Sequence, residues 1–230
     1  MASSSERVID ARELVKHYPI TKGILFKKKV GDVQAVDNIS LYLDQGETLA
    51  IVGESGCGKS TTGRLLMGLE PPTSGTVEIL SEDITGMSAK RLREKRRDIQ
   101  IILQDPYTSL NPRMTVSSII GEPFDIHPDA LAGRSKDEAV ADLMDRVGLN
   151  PEFVNRYPHQ FSGGQRQRIG VARALALNPK IIVADEPVSA LDVSVQAQVM
   201  NLLLDLRDEL GLAYVFISHD LAVVRQIADR

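Results

Sequence analysis

At 230 residues, with 43% hydrophobic and 25% charged residues, the chain has the composition of a soluble globular protein able to bury a substantial core: one domain, with room for a subdomain. Its formal charge of −4 points to neither nucleic acid nor an anionic membrane surface as a partner. No apolar run approaches the ~18 residues of a membrane span, and residues 1–10 lack the apolar centre of a signal peptide, so the chain is expected in the cytoplasm.

The chain opens with strand-like alternation over 8–18, 33–36 and 39–43, where Ile39, Leu41 and Leu43 share one face. This predicts an antiparallel start. Between these strands, 21–32 carries Lys22, Lys27, Lys28 and Lys29 and reads as a solvated excursion rather than a binding arm. Gly46 then turns the chain into a strand over 48–52, which feeds Gly53-Glu-Ser-Gly-Cys-Gly-Lys-Ser60 and then Thr61. A strand followed by G-x-x-x-x-G-K-[ST] is the pattern of a phosphate-binding loop. Glycines at 53, 56 and 58 let the backbone turn its N–H groups inward, and a helix starting at Lys59 adds its positive N-terminal end. A triphosphate fits such a concavity, and its candidate ligands are Gly53, Ser55, Gly56, Cys57, Gly58, Lys59, Ser60 and Thr61. Lys59 would reach the β- and γ-phosphates, and the Ser60 hydroxyl would be a ligand of the accompanying Mg²⁺. The one cysteine, Cys57, can form no intrachain disulfide; both a bland small residue and a redox-sensitive thiol fit its position.

The helix after the loop is expected to bury Leu65, Leu66 and Leu69, to stop at 70–75, and to lead into a strand over 76–80. The basic run from Lys90 to Arg97 reads as a solvated helix face rather than a nucleic-acid contact. A strand over 99–103 ends at Gln104, before a proline-containing turn at 105–112. Residues 115–147 are helical in character, with Ala139, Val140, Leu143, Met144 and Val147 on one apolar face, and predict a helical subdomain.

A second glycine signal, Phe161-Ser-Gly-Gly-Gln165, opens a helix capped by Ser162, with Ile169, Ala172, Leu175 and Ala176 facing the core. Its N-terminus is a second anion site. An apolar strand over 181–184 ends in Asp185-Glu186. A helix over 193–210 buries Val199, Leu202, Leu203, Leu206 and Leu210 and closes at Gly211. A last strand over 213–217 ends at Ser218-His219-Asp220. Four buried strands thus finish in polar residues, and in an open α/β sheet such carboxyl ends converge on one site.

Phosphoryl transfer to water needs charge neutralisation, an aligned water and a group to orient or deprotonate it. Asp185 is placed to help hold Mg²⁺ and Glu186 to act as general base on the attacking water. His219 can donate to the γ-phosphate, and Gln104 can contact Mg²⁺ or the water. Without the phosphate loop, Asp185-Glu186 would read as a solvated strand end, and Gln104 and His219 each also read as a structural polar residue.

These motifs together resemble the nucleotide-binding subunit of an ABC transporter over nearly the whole chain. In the family's order they are Walker A (53–60), the Q-loop (Gln104), the signature Ser162-Gly-Gly-Gln165, Walker B (181–185) with Glu186, the D-loop Ser189-Ala-Leu-Asp192 and the switch histidine His219. The resemblance implies an α/β P-loop NTPase with a RecA-like core, an N-terminal antiparallel β subdomain and an inserted α-helical subdomain. The core would take about 1–104 and 163–230, and the helical subdomain about 105–162. It implies ATP and Mg²⁺ as cofactors and a second cassette, bound head to tail, so that Ser162, Gly163, Gly164, Gln165 and Asp192 of one chain meet nucleotide on the other. Tyr18 resembles the aromatic residue that stacks on adenine; the alternative reading is a tyrosine that simply packs. Transmembrane permease subunits and, indirectly, an extracytoplasmic solute-binding protein are the implied partners, with no nucleic acid, at the cytoplasmic face of the membrane.

More narrowly, Gln104-Asp-Pro-Tyr-Thr-Ser-Leu-Asn-Pro112 and the run from Arg156 to Arg168 look like the dipeptide and oligopeptide permease ATPases. The long excursion before Walker A is similar to their second, F-type subunit, which favours a paralogous partner cassette. Phe161 stands where leucine is commoner. The chain ends at Arg230, so the family's C-terminal extension is expected to be missing. The rival readings are a soluble ABC protein of DNA repair or translation, a P-loop kinase, and an importer of another solute such as nickel. The soluble protein typically carries zinc-site cysteines, a long heptad insertion or two cassettes in one chain, none of which appears in the sequence. The kinase would not need Ser162-Gly-Gly-Gln165 or Glu186 in these positions.

Overall fold

The computed structural model describes residues 6–22, 28–105 and 107–230. In chain order its elements are β1 (Arg7–Lys22), β2 (Lys28–Asp44), β3 (Thr48–Val52), α1 (Lys59–Leu66), β4 (Ser74–Ile79), β5 (Glu82–Asp83), α2 (Ala89–Lys95), β6 (Ile99–Ile102), α3 (Val116–Ile126), α4 (Lys136–Arg146), α5 (Gly163–Leu175), β7 (Ile181–Asp185), α6 (Val193–Leu210), β8 (Ala213–Ser218) and α7 (Leu221–Ile227). Single 3₁₀ turns at Pro128–Leu131, Pro151–Phe153 and Pro158–Gln160 punctuate the helical stretch.

The strands form two sheets, one antiparallel in the order β2-β1-β4-β5 and one parallel in the order β3-β8-β7-β6. The parallel strands are largely apolar, β7 and β8 without a break until their last residue, because both of their faces are covered. Ile181, Val183, Ala213, Val215 and Ile217 pack toward α1 and the antiparallel sheet. Their neighbours Ile182, Ala184, Tyr214 and Phe216 pack toward α3, α4, α5 and α6. The period of two thus divides the side chains of one sheet between two cores. The register levels the carboxyl ends, with Val52 opposite Ser218, Ile217 opposite Asp185, and Ala184 opposite Ile102.

The stretch 21–32 differs from its expectation. Apart from 23–27, Lys27 among them, which lie outside the described residues, it continues the β1–β2 hairpin, paired as far as Lys22 opposite Lys28. Ile20, Val30 and Val33 there are all exposed, so this end has no core against which to alternate, and the period-two signal fades. Its described lysines, Lys22, Lys28 and Lys29, are exposed as expected, Lys29 pairing with Asp32 at 2.8 Å. β2 is also one strand where the sequence suggests two. Register shifts along the pair and a left-handed Asn38 (φ 51°) interrupt the alternation without ending the ladder.

Leu69 is 46% exposed, against expectation, because α1 ends at Leu66 and the chain turns through Gly68 (φ 59°), leaving Met67 to fill the core. The helical character over 115–147 divides into α3 and α4, separated by Pro128 and by left-handed Ala132 and Gly133. α4 begins with a capping box between Ser135 and Glu138. Ala139, Val140, Met144 and Val147 are buried and Leu143 is partly so. α6 ends at left-handed Gly211 as expected, with Val199, Leu203 and Leu206 buried and Leu202 and Leu210 partly buried. α2, carrying the basic run, buries no residue; β5, α2 and α7 are too short to leave a periodic signal.

Candidate nucleotide-binding and catalytic site

The level strand ends open on a cleft of about 970 Å³, walled by the phosphate loop, by Gln104, Glu186 and His219, by Val33, Gln34 and Ala35 of β2, and by Leu221. The loop owes its place to β2. Gly58 is left-handed (φ 97°), and a Cβ there would stand 2.0 Å from the main-chain oxygen of Ala35. Gly58→Ala is therefore expected to cost at least ~1–3 kcal/mol from backbone strain alone, a loss that urea unfolding followed by circular dichroism would measure.

Lys59, only 6% exposed, donates from Nζ to the carbonyls of Gly53 and Glu54, each at 2.8 Å. Its ammonium thus lies across the mouth of its own loop, and a phosphate must take the place of those carbonyls. The Ser60 hydroxyl donates to Asp185 Oδ1 at 3.0 Å. Burial pushes the Asp185 carboxyl above its usual range; the Ser60 hydrogen bond opposes this and the neighbouring Glu186 charge adds to it.

Glu186 is the junction of the site. Its Oε2 accepts from Gln104 Nε2 at 2.8 Å, and its Oε1 lies 3.1 Å from His219 Nδ1. The ends of β6, β7 and β8 therefore meet at one carboxylate. Glu186 is itself left-handed (φ 47°) while its N–H donates to Ile217 O at 2.9 Å. A non-glycine residue held in that conformation costs of order 1 kcal/mol or more and persists where the surroundings over-determine it.

Other expected site residues lie elsewhere. Ser162 caps α5 in a capping box: its Oγ accepts the Gln165 N–H at 3.3 Å, and its own N–H donates to Gln165 Oε1 at 3.0 Å. Gly164 has to be small, since a Cβ there would meet Val195 Cγ1 at 2.4 Å. Asp192 is exposed at the start of α6, beside Val193 at 82% exposure. None of Ser162, Gly163, Gly164, Gln165 and Asp192 lines the cleft. Tyr18 does not line it either: its hydroxyl donates to Glu70, and Lys16 Nζ sits 5.1 Å from its ring centre. Of the loop residues, Cys57 is exposed and is not among those that line the cleft. The cleft also includes Val33, Gln34, Ala35 and Leu221, which the sequence does not flag. Only the hairpin register brings the first three over the loop, and no local signal marks them.

The donor set is of hard oxygen: the Ser60 hydroxyl and the Gln104 amide oxygen on the cleft wall, and the Asp185 carboxylate, which does not line the cleft but is hydrogen-bonded to Ser60. Among the described residues no cluster of three or more His, Cys, Asp or Glu forms a self-sufficient metal cage. Few carboxylates, shared with substrate phosphates, suit Mg²⁺. No helix among the described residues is long and apolar enough to cross a membrane.

Known proteins give the same picture. The family model described as "ABC transporter" matches residues 36–189. The oligopeptide transport ATP-binding protein AppF of Bacillus subtilis is 56% identical over 230 residues, covering all of this chain and 69% of AppF. The dipeptide transport ATP-binding protein DppF of Escherichia coli is 50% identical over 228 residues, covering 99% of this chain and 67% of DppF. The chain thus spans about two thirds of the length of these relatives. The dimeric post-hydrolysis state of the ATP-binding cassette MJ0796, bound to ADP and Pi, superposes with a TM-score of 0.79 at 31% identity, covering 95% of this chain and 90% of that one. With this fold, these relatives and a family model matching two thirds of its length, the chain belongs to the ABC transporter family of ATP-binding cassettes.

Proposed function

We propose that this chain binds and hydrolyses ATP to drive uptake of dipeptides or oligopeptides through separate permease subunits. The observation that carries this is the meeting of Lys59, Ser60, Gln104, Glu186 and His219 at one cleft, with Asp185 hydrogen-bonded to Ser60 behind it, in a chain 56% identical to an oligopeptide transport ATP-binding protein. The division into a core and a helical subdomain over about 105–162 belongs to this reading. So do peripheral attachment at the cytoplasmic membrane face and a second, paralogous cassette. Each chain carries two anion-binding loops that do not share a cleft, and a head-to-tail pair would bring the loop of one to Ser162 of the other.

In the proposed reaction the phosphate loop and Lys59 bind and orient the triphosphate. Ser60 and Asp185, with Gln104 nearby, would hold Mg²⁺, which would supply neutralisation of phosphate charge when bound. Glu186 takes the proton of the attacking water. Gln104 and His219 orient the Glu186 carboxylate and, once nucleotide is present, the water and the γ-phosphate.

The test is transport by the complete complex in lipid vesicles, with its permeases, partner cassette and solute-binding protein. ATP hydrolysis and uptake should both rise when the binding protein is loaded with a short peptide. Stimulation by another solute, such as nickel, with no response to peptides, would overturn the peptide assignment and leave the ATPase standing.

The raised Asp185 pKa gives a further expectation. Below the unfolded carboxyl pKa, folded and unfolded chains are both protonated and the group contributes nothing. As pH rises through the raised folded pKa, the charge is buried at a cost, so Asp185 opposes folding at neutral pH. Asp185→Asn is expected to raise the Tm of the nucleotide-free chain at pH 7, since the amide carries no charge to bury. The gain should shrink as pH falls through the raised pKa, while Mg²⁺-dependent ATP affinity should drop. Scanning calorimetry between pH 4 and 8 checks the first, and titration with and without Mg²⁺ the second.

A further inference from the structure

Behind the cleft, the segment that leaves β6 is fastened to the helix that begins after Ser162. Gln167 of α5 is 2% exposed, and its Nε2 donates to the main-chain oxygen of Leu103, the residue before Gln104, at 3.4 Å. Arg173, nearly two turns further on, donates from Nη1 to Ser109 O at 3.0 Å. Between these two anchors the Arg166 guanidinium stands 4.3 Å from the centre of the Tyr107 ring. Within the segment, Asp105 accepts from the Tyr107 N–H at 2.7 Å and the Thr108 hydroxyl at 3.0 Å. Two largely buried donors of one helix thus bracket Gln104, whose own amide reaches Glu186 at 2.8 Å.

A buried amide is a costly way to fill space. A leucine or methionine of similar size would pack at Gln167 without the desolvation cost, unless the carbonyl it meets has to be held in place. We propose that Gln167, assisted by Arg173, is a positioning residue: by fixing Leu103 O it holds Gln104 within reach of Glu186. The Gln104 side chain and the helix opening at Ser162 then move as one piece, so a pull on the N-terminus of α5 is felt at the Glu186 of the same chain. The inference rests on the proposed ATPase reading for its activity arm, but not for its conformational arm.

The conformational arm is hydrogen exchange on the nucleotide-free chain. In Gln167→Leu, amides in 103–109 are expected to exchange about fivefold faster, the effect of one lost hydrogen bond, with α5 unchanged. The activity arm is a double-mutant cycle in the complete transporter. Gln167→Leu should lower kcat about tenfold or more with KM for ATP unchanged, and should cost nothing further in a Gln104→Ala background. Gln167→Met and Arg173→Gln carry the same comparisons if Gln167→Leu does not fold. Unchanged exchange over 103–109, or the same fractional loss of kcat with and without Gln104, would overturn the proposal. If Glu186→Gln retained full turnover in the same preparation, the catalytic assignment of Glu186 would fail, while the exchange result would still decide whether Gln167 holds the segment.

Discussion

Glu186→Gln is expected to slow ATP turnover by at least ~10²-fold, the lower end of what a positioned general base contributes, while leaving ATP bound. The substitution removes the charge that takes the proton and little else. A glutamine oxygen can still accept from Gln104 Nε2, and its NH₂ can donate to an unprotonated His219 Nδ1, the two contacts that Glu186 makes now. Lys59 and Ser60 stand on α1, and Asp185, the next residue back along the chain, is held by the Ser60 hydroxyl rather than by Glu186, so all three keep their places. If ATP bridges two cassettes, as proposed above, and is no longer consumed, the closed pair should accumulate by mass action. Size-exclusion chromatography with light scattering, on the full-length chain with its partner cassette and with or without Mg²⁺-ATP, reads the second effect; phosphate release reads the first. Wild-type turnover would sink the assignment of Glu186. Arrested turnover without an ATP-dependent pair would leave Glu186 standing and remove the head-to-tail model.

How much of this site could be read from the sequence follows from the range of the forces involved. The phosphate loop, Ser162 and Gly211 are legible because their conformations are set by neighbours within a few residues: a glycine where φ is positive, a serine where an N–H needs an acceptor. The four parallel strands are legible because burial on both faces leaves short, largely apolar runs. Convergence of their ends then follows from a topological rule rather than from any one residue. What escapes is what depends on register across the fold. Nothing near Val33, Gln34 or Ala35 says that the hairpin lies over the loop, and the contact appears only once Ala35 O meets Gly58. The outer half of that hairpin reads as an excursion because it is wet on both faces. Leu69 reads as core because the helical period carries on past Leu66, whereas the turn at Gly68 ends the helix. The buried amide of Gln167 escapes because a glutamine in a helix carries no mark of the carbonyl it will meet.

Lys59→Ala should have the largest effect on binding. In the nucleotide-free chain the Lys59 ammonium is almost fully withdrawn from water and makes two hydrogen bonds to the carbonyls of Gly53 and Glu54. It is therefore already desolvated and already aimed into the loop, so exchanging carbonyls for phosphate oxygens gains charge–charge attraction without a fresh desolvation cost on the lysine side. Removing it deletes that attraction and leaves two carbonyl oxygens pointing at the incoming anion. The expected loss in ATP affinity is about 10²-fold or more, the equivalent of about 3 kcal/mol. Alanine also empties buried volume, so Lys59→Met, which keeps the stem without the charge, is the companion variant. Calorimetric titration with Mg²⁺-ATP should show both variants weakened alike, with unfolding curves to confirm that each is folded. Lys59→Met binding ATP as tightly as the unaltered chain would show that the ammonium does not hold the phosphates, and the nucleotide site would then rest on the backbone of the loop alone.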